Sequence, residues 1–257
     1  MILFGASGGI GSALSRSLAQ THPKAHLIFA ADDGQALEAL VGSLGKGEAH
    51  KIDATKGEQV QNVVEGALLK YGRLDAVASM VGNVMMKPST GSPEEPRVPQ
   101  GSTSSITDLE DALRINLYTS FNVVQYSAKA MQKNGGGSIV LTSAAVAERG
   151  VPHFEALSAA KAGVEGMARS FAASYVRQGV RINCVLPGLT RTKQTEGLTR
   201  GESRPAATSK QMHPVKHFAD PADIAAALEF FMDPRTDFIT GQCLAVDGGL
   251  SSLTLQN

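Results

Sequence analysis

A glycine-rich turn lies near the start of the sequence, directly after the short apolar run Ile2 to Phe4. The turn reads Gly5-Ala6-Ser7-Gly8-Gly9-Ile10-Gly11, and a helical pattern follows it. Backbone without Cβ atoms lets a phosphate group come close, and the N-terminus of a helix favours its negative charge. We therefore predict a site for the pyrophosphate of a dinucleotide, formed by Gly5, Ser7, Gly9, Ile10 and Gly11.

An acidic pair, Asp32-Asp33, follows the second apolar run, about 20 residues after the glycines. A carboxylate there accepts hydrogen bonds from ribose hydroxyls and repels a 2′-phosphate, and Ser7 and Gly8 supply no arginine to receive that phosphate. We expect Asp32 to bind the ribose, with NAD(H) as the preferred cofactor and NADP(H) as the alternative. The competing interpretation is that Ala31 occupies the ribose position and both aspartates face water.

Short β-rich runs alternate with helical patterns along the chain. The predicted strands are Ile2 to Phe4, His26 to Ala31, Ala49 to Ile52, Ala76 to Val81, Ser138 to Thr142, Val180 to Leu186 and Cys243 to Val246. Apolar strands separated by helices are typical of a parallel sheet that is covered on both faces. The sequence therefore predicts the α/β class, with one doubly wound, Rossmann-like domain over residues 1–257. The first strand is short against the usual length of about 5 or 6 residues, which suggests that the sequence begins late.

Two polar segments interrupt this alternation, at residues 87–106 and about 190–218. Both are longer than most α/β connections, so we expect loops. Because both follow strands, they should emerge at the carboxyl edge of the sheet, where open α/β folds bind ligands. Thr107 with Glu110 is predicted as a capping box, and Asp220-Pro221 as the start of a late helix.

Composition excludes several classes of function. Lys and Arg number 24, as do Asp and Glu, so the formal net charge is zero and gives no field for nucleic acid or an anionic membrane. No apolar run approaches the roughly 18 residues of a membrane span, and the first residues lack the basic region of a signal peptide. We expect a cytoplasmic protein. Cys184 and Cys243 are interpreted as buried free thiols, and the six scattered histidines show no metal-ligand spacing.

Taken together, these motifs resemble the short-chain dehydrogenase/reductase family over essentially the whole chain. The residues that carry the resemblance are Gly5-x-x-x-Gly9-Ile10-Gly11, Asp53, Gly82, Asn116, Gly137-Ser138-Ile139-Val140, Ala160-Lys161-Ala162, Arg181 to Gly188 with Thr192, and Ile239 to Gly249. The resemblance implies a Rossmann-like sheet of seven parallel strands, a nicotinamide cofactor, a small-molecule substrate and a homodimer or homotetramer. It also implies further cofactor contacts, from Asp53, Ala54, Gly82, Lys161, Pro187, Gly188 and Thr192.

The resemblance fails at the catalytic end. The family has a tyrosine four residues before its active-site lysine and a serine about 13 residues before that tyrosine. Counting back from Lys161 gives Leu157 and then Ala144, so both hydroxyls are missing. A divergent enoyl reductase branch places its tyrosine seven residues before the lysine, and that position is Phe154. We expect an atypical member without the active-site Tyr and Ser.

Three residues remain as catalytic candidates. The resemblance implies that Lys161 holds the nicotinamide ribose. Asn116 lies on an apolar helical stripe, so we expect a buried, hydrogen-bonded amide with either a structural or a proton-relay role. His153 lies eight residues before Lys161, on the same helix face if the helix extends that far, and its ring can donate a proton near neutral pH. The weaker candidates for the proton donor are Ser143, Glu155 and Ser158.

These expectations lead to a functional prediction. The protein is expected to be an NAD(P)-dependent oxidoreductase that transfers a hydride between the nicotinamide and a small carbonyl, alcohol or enoyl substrate, with a nonstandard proton donor. The alternative is a catalytically inactive NAD-binding sensor or assembly protein of the same fold. A third interpretation is an enoyl-type reductase for which a solvent-derived proton suffices.

Overall fold

Seven parallel strands form one sheet at the centre of the protein, in the order β3-β2-β1-β4-β5-β6-β7. The computed structural model describes residues 1–84, 105–201 and 204–254. The strands are β1 (Ile2–Phe4), β2 (Ile28–Ala31), β3 (Glu48–Lys51), β4 (Ala76–Ser79), β5 (Gly137–Thr142), β6 (Val180–Pro187) and β7 (Cys243–Val246). The parallel, seven-stranded, Rossmann-like sheet is therefore confirmed, with strand ends within two residues of the predicted ones.

Helices cover both faces of the sheet. They are α1 (Gly9–Thr21), α2 (Gly34–Leu44), α3 (Gly57–Tyr71), α4 (Ile106–Ala112), α5 (Thr119–Met131), α6 (Glu155–Tyr175), α7 (Glu196–Thr199), α8 (Arg204–Met212) and α9 (Pro221–Met232). A π-helical turn, Leu113–Tyr118, joins α4 to α5. None of the helices described here has both the length and the apolar character needed to cross a membrane.

Strand alternation explains why the sheet needs helices on both faces. In β1, Ile2 and Phe4 pack into one apolar cluster, whereas Leu3 packs into a second cluster on the opposite face. All three side chains are fully buried. Successive side chains of a strand point to opposite faces, so an apolar residue at every position requires two covered faces. One cluster lies under α3, α5 and α6, and the other lies under α1, α2 and α9.

The helix starts were predicted less accurately than the strands. The capping box expected at Thr107 and Glu110 is wrong: the Asp108 amide donates to the Ser105 hydroxyl at 3.2 Å, and the Ser105 amide donates to the Asp108 carboxylate at 2.8 Å. Both pairs fit the same four-residue pattern, and the earlier pair caps the helix because α4 already begins at Ile106. The start of α9 after Asp220 is confirmed.

The two polar segments differ from the predicted loops. Residues 87–104 lie outside the described residues, and residue 106 already belongs to α4. The segment 190–218 is not a loop throughout, because it contains α7, α8 and a short 3₁₀ turn, Lys193–Thr195. It does lie at the carboxyl edge of the sheet, where it forms one wall of the cleft described next.

Candidate functional site

Two adjoining cavities form a continuous cleft at the carboxyl edge of the sheet. The larger one, of about 490 Å³, lies over the ends of β1 and β2, and we call it the polar cavity. The smaller one, of about 240 Å³, reaches α6, and we call it the apolar cavity. Four residues line both cavities: Met80, Gly82, Asn83 and Gln194. The cleft lies where the strand order reverses, between β1 and β4, which is the usual ligand site of an open α/β sheet.

The glycine turn forms the floor of the cleft where the cavities meet. Gly5 has a φ of +78°, a left-handed conformation that favours glycine. A Cβ atom on Gly11 would lie 2.1 Å from the Gly5 carbonyl oxygen, and one on Gly9 would lie 2.6 Å from a methyl group of Thr192. Gly8 is the N-cap residue of α1 and has no side chain to cap it. The first amide groups of α1 are therefore available to an anion.

The two adjacent aspartates have different roles. The Asp33 carboxylate accepts a hydrogen bond of 3.0 Å from the Ala36 amide and caps α2. Asp32 is exposed and lines the polar cavity, together with Ser7 and Ala31. Of the two carboxylates, Asp32 is therefore the one that can meet a ligand. Ala31 lines the same cavity, so the competing interpretation of the ribose position stays open.

The far end of the polar cavity holds Asp53, Ala54 and an arginine that was not predicted. The Asp53 carboxylate accepts hydrogen bonds from the amide (2.9 Å) and the hydroxyl (2.6 Å) of Thr55, and these bonds lower the pKa of Asp53. Arg114 also lines this cavity, and its guanidinium contacts the Asp111 carboxylate at 2.8 Å. No local pattern predicts this contact, because Arg114 belongs to the π-helical turn, far along the chain from Asp53.

Lys161 is a buried cation in the wall of the apolar cavity. Its Nζ atom donates a hydrogen bond of 2.9 Å to the carbonyl oxygen of Thr142, at the end of β5. Burial lowers the pKa of Lys161 to about 8. An ammonium has three donors, so two more are available to groups that enter the cleft.

Asn116 is fully buried beside Lys161, as its helical stripe predicts. Its amide nitrogen donates to the carbonyl oxygen of Ala112 at 3.1 Å, and its amide oxygen accepts from the Asn83 amide at 3.2 Å. The side chain therefore fixes the turn after β4. Asn116 lies in the π-helical turn, a feature that frequently marks functional sites.

Leu157 and Ala144 both line the apolar cavity, where the resemblance expects hydroxyl groups. Ser143 also lines it, but its hydroxyl donates to the buried Glu165 carboxylate at 2.6 Å. The hydroxyl of Ser158 donates to the Val146 carbonyl oxygen at 2.9 Å. Neither serine hydroxyl therefore has its proton free to replace the expected groups.

The predicted position of His153, on the same helix as Lys161, is wrong. Helix α6 begins at Glu155, so His153 precedes it and does not share a helix face with Lys161. His153 has a φ of +71°, which turns the chain just before the helix starts. Val151 and Phe154 line the apolar cavity, and His153 does not. Its Nδ1 atom is buried without a hydrogen-bond partner among the described residues.

The predicted contacts after β6 do lie in the cleft. Pro187, Gly188 and Thr192 line the apolar cavity, as does Ile10 from the opposite wall. A Cβ atom on Gly188 would lie 2.7 Å from the Cα atom of Asp247, so glycine is needed there for close packing. These residues therefore close the cleft over the glycine turn.

Two residues of the segment 190–218 were missed. Gln194 donates from its side chain to the Gly82 carbonyl oxygen at 3.3 Å and so bridges the two walls of the cleft. His213 is buried: its Nε2 atom lies 3.1 Å from the Leu189 amide and its Nδ1 atom 2.9 Å from the Ser209 carbonyl oxygen. These partners require one accepting and one donating nitrogen, so the ring is a neutral structural group. The segment's position after a strand was the only sequence signal for either residue.

The chain is similar to known proteins over nearly its full length. A family model described as Enoyl-(Acyl carrier protein) reductase matches residues 5–251. The 3-oxoacyl-[acyl-carrier-protein] reductase FabG of Thermotoga maritima is 31% identical, over 97% of this chain and 96% of that protein. The 2,5-dichloro-2,5-cyclohexadiene-1,4-diol dehydrogenase of Sphingobium indicum is 29% identical, over 98% and 97%. A short-chain type dehydrogenase/reductase structure from Mycobacterium ulcerans superposes with a TM-score of 0.87 at 22% identity, over 97% of this chain and 88% of that one.

Proposed function

The chain belongs to the short-chain dehydrogenase/reductase family, and we propose that it is an NAD(P)-dependent oxidoreductase. It transfers a hydride between a nicotinamide cofactor and a small carbonyl, alcohol or enoyl substrate. The two-part cleft carries this proposal, because a dinucleotide also consists of two parts joined by a pyrophosphate. The polar cavity with Asp32 suits the adenosine half, and the apolar cavity with Lys161 suits the nicotinamide half.

The residues of the cleft fit such a cofactor. Side chains at Gly9, Gly11 and Gly82 would meet neighbouring atoms at 2.1–2.6 Å, so the cradle depends on glycine at each place. We propose that the amides of α1 bind the pyrophosphate and that Ser7 and Ile10 flank it. The remaining contacts come from residues at the two ends of the cleft: Gly5, Asp32, Asp53, Ala54, Lys161, Pro187, Gly188 and Thr192.

We propose that NAD(H) is preferred over NADP(H). The Asp32 carboxylate would repel a 2′-phosphate, whereas it can accept hydrogen bonds from ribose hydroxyls. Among the described residues that line the polar cavity, Arg114 is the cation that could oppose this preference. The Arg114 guanidinium already forms an ion pair with the Asp111 carboxylate. It also lies near Asp53, where the hydrogen bonds from Thr55 lower the pKa of the carboxyl most and the charge of Arg114 lowers it further.

The substrate is proposed to have an apolar body. A set of apolar side chains lines the apolar cavity beyond Lys161: Ala144, Val146, Val151, Phe154, Leu157, Leu189, Leu198, Met212 and Leu250. Burying a charged substrate group against them without a partner would cost several kcal/mol. The reacting oxygen or double bond would therefore face Lys161, and the rest of the substrate would fill the cavity.

We propose that this protein is an atypical family member without the active-site Tyr and Ser, and that Lys161 holds the proton for the reaction. When bound, the nicotinamide supplies the hydride. The ammonium group of Lys161 has a pKa of about 8, close to the value that suits a general acid near neutral pH. Asn116 acts as a positioning residue, because it binds the Asn83 amide and so holds the backbone next to Gly82, which faces Lys161. We do not propose His153 as the proton donor, because it precedes α6 and does not line the apolar cavity.

The second candidate is a non-enzymatic NAD-binding sensor or assembly protein. Leu157 and Ala144 favour it, because they replace both expected hydroxyls with hydrocarbon in the same cavity. The two candidates share the cofactor site and differ only in turnover. Turnover on a broad panel of substrate classes is therefore the measurement that distinguishes them.

The test is NADH consumption, followed by absorbance, on a panel of apolar ketones, aldehydes and α,β-unsaturated thioesters. The proposal predicts turnover on at least one class, and loss of that turnover in Lys161→Met. Tight NADH binding with no turnover on any class would favour the sensor. Turnover on the thioesters alone, unchanged in Lys161→Met, would favour an enoyl reductase that takes its proton from solvent.

We also propose a homodimer or homotetramer. The aromatic side chains of Tyr118 and Phe121 are about half exposed beside the start of α5, and Phe121 packs edge-on against Phe171 of α6 at 5.3 Å between ring centroids. Exposed aromatic residues of this kind are enriched at protein interfaces. Light scattering after size-exclusion chromatography tests the proposal, and Phe121→Glu should shift the protein towards a monomer.

A further inference from the structure

The two cysteines of the chain are neighbours in the sheet. Cys184 of β6 and Cys243 of β7 are in register in this parallel strand pair. Adjacent strands lie about 4.8 Å apart, within the range of roughly 4.4–6.8 Å that disulfides span between Cα atoms. Both side chains pack against the same apolar cluster, so they lie on the same face of the sheet. The backbone therefore brings two thiols together with no rearrangement of the strands.

The two thiols differ in accessibility and acidity. Cys184 is fully buried, whereas Cys243 is partly exposed, which corrects the expectation that both are buried. A hydrogen bond between the thiols, followed by burial, raises the pKa of Cys184, and the same bond lowers the pKa of Cys243. A guanidinium nitrogen of Arg169 lies 3.5 Å from the Cys243 sulfur.

Other charged groups around the pair shift the pKa of one or both thiols. Glu165 of α6 raises the pKa of both cysteines, and Glu148 raises that of Cys243. Lys161 lowers the pKa of Cys184. These charge effects are smaller than the effect of the thiol–thiol hydrogen bond. Cys243, the accessible cysteine, therefore remains the better nucleophile.

Metal binding does not explain the pair. Within the described residues, no group of three or more His, Cys, Asp or Glu side chains could hold a metal ion. A reactive thiol beside a second thiol is instead the arrangement of redox-sensitive cysteines, in which the first is oxidised and the second resolves it.

We propose that Cys243 and Cys184 form a peroxide-reactive dithiol that closes a disulfide between β6 and β7. The Cys243 thiolate attacks one oxygen of a hydroperoxide, the O–O bond breaks, and the departing oxygen takes up the thiol's proton and leaves as water or an alcohol. The Cys184 sulfur then attacks the sulfenic sulfur of Cys243. The S–OH bond breaks, and the hydroxide leaves as water with the Cys184 proton. Two thiols are oxidised and one peroxide is reduced.

The experiment uses the full chain without cofactor and is therefore independent of the proposed oxidoreductase activity. After treatment with hydrogen peroxide, free thiols are counted in denaturant and the intact mass is measured. The wild type should lose both thiols and about 2 Da per chain, and dithiothreitol should reverse both changes. Cys184→Ala should instead gain about 16 Da at Cys243, as a sulfenic acid that dimedone traps.

Cys243→Ala is the matched variant, and its remaining buried thiol should stay reduced at the same peroxide dose. Three results would overturn the proposal. They are retention of both thiols in the wild type, oxygen addition without loss of the second thiol, and a disulfide between two chains, seen on a non-reducing gel. Because the wild type alone gives these readouts, the test holds even if one variant fails to fold.

Discussion

A Cβ atom on Gly82 would lie 3.0 Å from the Nζ atom of Lys161. The same atom would lie 2.6 Å from the side-chain oxygen of Asn116, closer than Cβ atoms approach in real proteins. Lys161, Asn116 and the turn after β4 can therefore keep their places only if residue 82 has no side chain. The absence of a side chain at Gly82 therefore decides where the positive charge of Lys161 lies in the apolar cavity.

Gly82→Ala should weaken NADH binding by about tenfold or more, since overpacking of a tight site typically costs about 1–3 kcal/mol. Calorimetric titration of NADH measures it. Gly42→Ala is the control, because a Cβ atom there meets nothing within 4 Å, and it should bind NADH as the wild type does. Wild-type affinity in Gly82→Ala would show that the Lys161 and Asn116 positions are not part of the cofactor site.

Asp32→Ala should narrow the preference for NADH over NADPH, because it removes the carboxylate that opposes a 2′-phosphate. Fluorescence titration with both cofactors gives the ratio of dissociation constants. Asp33→Ala is the matched control: it removes the α2 cap, costs about 1 kcal/mol of stability, and should leave the ratio unchanged. If the wild type binds NADPH as tightly as NADH, the assignment of Asp32 fails.

The buried Lys161 makes stability depend on pH in a defined direction. Its folded-state pKa of about 8 lies below the usual value of 10.5. Below pH 8, Lys161 is protonated in both the folded and the unfolded protein, and the folded protein bears the full cost of burying the charge. Between pH 8 and 10.5 only the unfolded state holds it, so stability relative to Lys161→Met should rise by about 2–3 kcal/mol from pH 7 to pH 10. Urea unfolding of both proteins measures this difference.

The rate of substrate reduction should also depend on pH. It should fall above about pH 8, because Lys161 then loses the proton that it donates. His153→Gln is the control, and it should keep both the rate and the pH profile, because His153 does not line the cavity. A rate that is independent of pH between 7 and 9.5 would remove Lys161 from the proton transfer. A pH profile that changes in His153→Gln would show instead that His153 takes part in it.

Ala144→Ser combined with Leu157→Tyr should raise ketone reduction, because a positioned general acid typically contributes about 10²- to 10⁴-fold. Both side chains already line the apolar cavity, so the new hydroxyls would face the same space. The rate of NADH oxidation on an apolar ketone, compared with each single variant, tests this. Ketone reduction by the unaltered protein that is as fast as by the double variant would contradict the account of the missing hydroxyls.

The sheet was predictable because buried parallel strands are apolar at every position. β2 (Ile28–Ala31) is buried throughout, and its apolar run marks it clearly. The edge strand β3 (Glu48–Lys51) alternates between more and less buried positions, yet its predicted range differed by only one residue at each end, whereas the start of β2 was predicted two residues early. The register and strand order follow from backbone pairing across the sheet, which no local pattern encodes.

The residues of the cleft could be predicted where a sequence motif reflects a conformation or a close approach that only glycine allows. The glycines of the first turn are of this kind, and the buried side-chain amide of Asn116 was predicted from its helical position. The start of α6 was not, because it depends on a left-handed His153, and a non-glycine residue in that conformation carries no sequence signal. Helix α8 (Arg204–Met212) is short and polar, so its sequence pattern did not predict it. The residue after it, His213, accepts a hydrogen bond from the Leu189 amide, a contact between distant parts of the chain that no local pattern encodes.

A calorimetric titration of NADH into the wild type and Gly9→Val tests whether the cleft binds a nicotinamide dinucleotide over the glycine turn. We expect one saturable site per chain in the wild type and its loss in Gly9→Val, because the new side chain would fill the space against Thr192 where α1 begins. Gly66→Val, at an open helix position, should bind as the wild type does, and circular dichroism should show that all three proteins are folded. No saturable binding by the wild type, or equal binding by a folded Gly9→Val, would contradict the claim.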